Sequence, residues 1–100
     1  MSDRFLLSTS ANVPSLGLSD PMQALWWLAK GDWQMGAGWD AAHDICQRDE
    51  GDHDHDWVHA LVHLIEGDAV NAAYWYKRCG EVQVSNDPRK EWDNIVAALT

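Results

Sequence analysis

One hundred residues suit a single domain, and a chain this short buries only about 60–70% of its unfolded surface, so its core has to be efficient. Seven tryptophans, at positions 26, 27, 33, 39, 57, 75 and 92, provide the means, each able to bury roughly 150–250 Å². Sixteen acids against seven Lys and Arg give a net charge of −9; that balance repels nucleic-acid phosphates and anionic membrane surfaces and favours metal ions, amines or a basic protein partner.

Residues 1–18 lack periodicity and contain Pro14 and Gly17. They read as an N-terminal extended arm, followed by a single α-helical domain over 19–100. The start "MSDRFLLSTSANV" carries one Arg and too short an apolar run for a signal peptide. No stretch approaches the ~20 apolar residues of a membrane span. Cys46 and Cys79 form no C-x-x-C pair and read as small hydrophobes of a reducing compartment. The chain is therefore expected in the cytoplasm.

"SDP" at 19–21 predicts a helix start, with Ser19 or Asp20 as cap and Pro21 in the first turn. "MQALWWLAK" follows, apolar almost all round, and predicts a central helix that ends at Gly31. The two glycines of "QMGAG" predict a loop, and "WDAAHDICQR" a second helix with His43 at the surface. "DEGDHDHD" reads as an acidic loop or frayed helix start, with His53 and His55 solvated among its aspartates.

A third helix is expected over roughly 55–66. Gly67 should end it in a left-handed conformation, which only glycine adopts without strain. Asp68 then caps a fourth helix, "AVNAAYWYKRC", which stops at Gly80. "EVQVS" alternates like a strand but stands alone, so it reads as an extended link. "SNDP" at 85–88 opens a last helix, in which Trp92, Ile95, Val96 and Leu99 form one core-facing stripe. The expected fold is all-α, with about five helices.

An internal repeat organises them. "ALWWLAKGDW" at 24–33 aligns with "ALVHLIEGDA" at 60–69, an offset of 36. "WDAAHDI" at 39–45 then corresponds to "VNAAYWY" at 70–76, if "QMGAG" is an insertion. The unit is helix, Gly-Asp turn, helix, with small alanines at the crossing. Over about 24–80 this pattern resembles a tetratricopeptide-repeat hairpin, a family with a period near 34 residues. Gly67, Asp68, Ala72, Ala73, Tyr76 and Trp57 stand at positions matching its pattern. The chain departs from it in having two units, a glycine insertion in the first, and His63 on an apolar stretch. The resemblance implies two helical hairpins and a C-terminal capping helix. The string "WVHA…H…EGD…NAAYWYKR" is also similar to small bacterial helical proteins, which implies a fold and no activity.

"HDHDWVHALVHLIEGD" at 53–68 holds four of the five histidines. At ~100° per residue, His59, His63 and Glu66 fall within roughly 60° of one another, and apolar residues fill most of the remaining circumference. Two histidines at i, i+4 with a carboxylate one turn on can hold one divalent ion. Two named motifs fail: Ala60 stands where the H-E-x-x-H base belongs, and Trp57 and His63 replace the glycine and glutamate of a calcium loop. The competing reading is a polar seam, in which His59, His63 and Glu66 meet Asn71, Tyr74 and Arg78 of the fourth helix. Bonds from Glu66 to Tyr74 or Arg78 would then satisfy it.

No nucleophile–base constellation or phosphate-binding glycine loop is identifiable. The first function expected is a non-enzymatic protein-interaction module, binding a protein partner or self-associating. The alternative is a small metal- or ligand-binding protein, with enzymatic use of the site left open, built on His59, His63 and Glu66.

Overall fold

Short-range chemistry sets the starts of four of the described helices, each opened by a side-chain cap. The computed structural model describes residue 9 and residues 11–100. Five helices follow in order: α1 (Asp20–Lys30), α2 (Ala37–Gln47), α3 (His53–Glu66), α4 (Ala69–Cys79) and α5 (Pro88–Leu99). Among the described residues there is no strand, so the molecule is all-α. Ser19 caps α1 by accepting the Met22 N–H. Asp68 caps α4 by accepting the Asn71 N–H, and Asp87 caps α5 ahead of Pro88. Gly67 takes φ 85° and Gly80 φ 78°, the left-handed geometry that closes α3 and α4.

Helix α3 is the axis of the assembly. It packs against α1, α2, α4 and α5, while α1 also packs against α2 and α5. The chain-adjacent pairs α1–α2 and α3–α4 make the most extensive contacts, and α5 closes the assembly across α1 and α3. Trp26, Trp39, Trp57, Trp75 and Trp92 are buried in the shared core, with Trp27 and Trp33 packed against it half-buried. Two indole N–H groups find carbonyl oxygens across the core: Trp39 donates to Val62 (2.7 Å) and Trp92 to Leu25 (2.7 Å). The α5 stripe holds, since Trp92, Ile95 and Val96 are buried and Leu99 packs against them.

Several details differ from the sequence reading. The expected loop "QMGAG" gives its last two residues to α2. Gly38 is buried in that first turn, and a Cβ there would stand 2.5 Å from the Trp27 carbonyl oxygen. The glycine therefore permits the close α1–α2 crossing. Of the alanine pair in α4, Ala72 is fully buried but Ala73 is exposed, so one alanine makes the crossing.

Of the two expectations for the acidic stretch, the helix start is what forms over 52–56, ordered rather than frayed. Asp52 accepts the His55 N–H (3.1 Å), and Asp54 and Asp56 lie in the first turn, where the helix dipole favours negative charge. Asp56 is buried; it accepts the Gly51 N–H with both oxygens and pairs with Arg78 at 3.5 Å.

Residues 1–8 and 10, half of the expected arm, lie outside the described residues. Over 11–18 the backbone is irregular, with Pro14 buried and Leu18 packed on the core. Among the described residues no helix is long and apolar enough to cross a membrane.

Candidate metal centre

Three histidines from two helices converge beside the α2–α3 contact. His59 and His63 sit one turn apart on α3, with rings stacked at 4.9 Å and 23°. From α2, His43 meets both edge-on, at 5.0 Å from His59 and 5.3 Å from His63. Tryptophans wall the group on two sides. Trp75 of α4 stacks on His59 at 3.9 Å and 16°, and Trp39 stacks on His43 at 4.8 Å. One ligand nitrogen from each histidine lies within 4.8 Å of the other two.

Burial keeps the rings of His59 and His43 neutral. His59 is 2% exposed. Burial lowers its pKa to about 3, and the neighbouring His63, His43 and Arg78 push it the same way. Burial and His63 also lower His43, against the pull of Glu66, Asp40 and Glu50. A neutral imidazole carries the lone pair that a metal requires. The Nδ1 of His59 is buried without a hydrogen-bond partner. The ring of His63 is oriented through Nδ1, which stands 2.9 Å from Glu66 Oε1. A carboxylate only accepts, so Nδ1 is the nitrogen that donates to it and Nε2 is the one left to face a ligand.

The sequence groups His59, His63 and Glu66 and puts His43 at the surface. His43 is instead half-buried and belongs to the group, whereas Glu66 clusters with His63 and Asp68. A signal for His43 existed: it follows Trp39 at i, i+4 and adjoins Ala42, so it borders the buried face of α2.

The seam partners do not meet the strip as expected. Arg78 donates to the Tyr74 hydroxyl (3.2 Å), pairs with Asp56 and lies over Trp75 at 5.1 Å. Asn71 is half-buried and contributes its N–H to the Asp68 cap. Glu66 bonds His63 in place of Tyr74 or Arg78. The fourth helix faces His59 with an aromatic plane, Trp75.

The other two histidines have separate roles. His55, expected to be solvated, is buried, with Nδ1 2.7 Å from Asp52. That bond is the leading reason the Asp52 carboxyl titrates below its usual range. His53 is exposed and bridges Asp54 (2.7 Å) and Glu81 (2.8 Å), which raise its pKa. The sequence also gave no warning of Glu91, which is fully buried in α5. It accepts the Tyr76 hydroxyl at 2.6 Å and the Val84 N–H at 3.0 Å, pinning the 81–87 link to the core.

Fold and site together define an all-α protein with a three-imidazole cluster between helices. Comparison with protein-family models, with curated proteins and with solved structures finds no match to this chain.

Proposed function

We propose that this protein binds a divalent transition-metal ion through His43, His59 and His63. One observation carries the reading: a ligand nitrogen of each ring stands within 4.8 Å of the other two. Two nitrogens on a tetrahedral zinc stand about 3.4 Å apart, so small side-chain rotations gather the three rings on one ion. Imidazole donors suit zinc, nickel, cobalt or copper, whereas calcium and magnesium require oxygen cages. The acidic surface raises the local concentration of any cation.

Calorimetric titration of the untagged, metal-free chain with Zn²⁺ should give one ion per molecule. Excess metal at about 100 Kd should stabilise the fold by about 2.7 kcal/mol, seen as a raised Tm that chelator reverses. His43→Gln, at the half-buried member, should lose stoichiometric binding while keeping a cooperative melt. A wild-type chain that binds no zinc, or a variant that binds as well as wild type, would sink the reading.

The interaction module is supported by a different observation. Val70 is 84% exposed and Tyr74 54% exposed, one turn apart on α4. The paired helices α1–α2 and α3–α4, with Gly67 and Asp68 at the second turn, support a tetratricopeptide-like arrangement that presents this surface to a protein partner or a second copy. The free thiols Cys46 and Cys79 fit a reducing, cytoplasmic setting. If the surface self-associates, light scattering should show mass rising with concentration in wild type and not in Val70→Asp. A constant monomer mass excludes the self-associating form.

A further inference from the structure

The three histidines are an incomplete set for a closed metal site. Structural zinc sites use four protein ligands, while sites that bind a reactant keep one position open. Among the described residues, no fourth Cys, Asp, Glu or His joins His43, His59 and His63 in their group. Glu66 is turned to His63 Nδ1 at 2.9 Å, where it orients a ligand. Two flanks are closed by aromatic planes, Trp75 over His59 and Trp39 over His43. His59 and His63 are buried, so the half-buried His43 marks the side that reaches solvent.

Resting on the metal reading above, we infer that an ion held by His43, His59 and His63 keeps a fourth position open on the His43 side, taken by water and exchangeable for a small anion. Three neutral donors leave the ion's double positive charge uncompensated, which attracts an anionic ligand to that position. The acids that act on His43, namely Glu66, Asp40 and Glu50, oppose anion entry, so exchange is weak and improves when Glu66 loses its charge.

The test is the visible spectrum of the Co²⁺-loaded full chain titrated with azide, in wild type and Glu66→Gln. The expected result is a set of tetrahedral cobalt bands that shift saturably with azide in both proteins, at lower azide concentration in the variant. Wild-type bands that stay unchanged at saturating azide show a closed site and overturn the inference while leaving metal binding intact. An azide response that appears only in Glu66→Gln means that Glu66 fills the fourth position, and also overturns it. If no cobalt bands develop at all, the metal reading fails first and the open position falls with it.

Discussion

Trp75→Ala is expected to cost about 3–5 kcal/mol, as for other large aromatic truncations in packed cores. Trp75 is buried on α4 and its ring lies 3.9 Å from that of His59. Removing it opens a cavity in the α3–α4 contact and takes away one wall of the histidine cluster. In a domain of this size each kcal/mol moves the Tm by about 4–8 °C, so the drop should be roughly 12 °C or more. A thermal melt followed by circular dichroism reads it directly. A variant melting within a degree or two of wild type would mean that the indole is not part of the core. The same protein should also bind zinc more weakly, since His59 loses the ring that holds it in place.

Glu91→Ala should be similarly damaging for a different reason. The side chain is fully buried, and both of its oxygens accept hydrogen bonds, from the Tyr76 hydroxyl and the Val84 N–H. Its loss leaves two donors without partners, at roughly 1–3 kcal/mol each, so a cost of about 2–6 kcal/mol is expected in chemical denaturation. The 81–87 link should also loosen, seen as faster amide exchange at Val84 with little change in α1. Burial and the bond to Glu91 raise the Tyr76 phenol pKa; in the variant the phenol should titrate at lower pH. Unchanged stability together with unchanged Val84 exchange would show that Glu91 is not the clasp described.

Trp75 was legible because burying a large aromatic is the default in a chain this small, whatever its neighbours. Glu91 was not, because a glutamate in the first turn of a helix ordinarily faces water and favours the helix dipole there. Its partners come from α4 and from the link, and nothing in "DPRKEW" reports them. Trp39 and His43 show the same division within a single helix. The tryptophan's burial followed from its size, whereas the depth of the histidine depended on how far α2 is rotated against α3.

The sequence by itself determined the helices and most of their ends; the starts of α2 and α3 are the exceptions. Ser19, Asp68 and Asp87 cap, Pro21 and Pro88 sit in first turns, and Gly67 and Gly80 take left-handed conformations. Each of these signals acts over a few residues, through a single hydrogen bond or a single backbone dihedral. The α5 stripe is equally local in origin. Tertiary structure alone decided which helix faces meet. It brought His43 of α2 to His59 and His63 of α3, turned Trp75 rather than Asn71 or Tyr74 toward His59, and sealed Glu91 against Tyr76. These contacts join residues of different helices, 15 to 20 positions apart in the chain. They depend on how packed side chains set the rotation and crossing of whole helices, a collective outcome that no short stretch of sequence specifies.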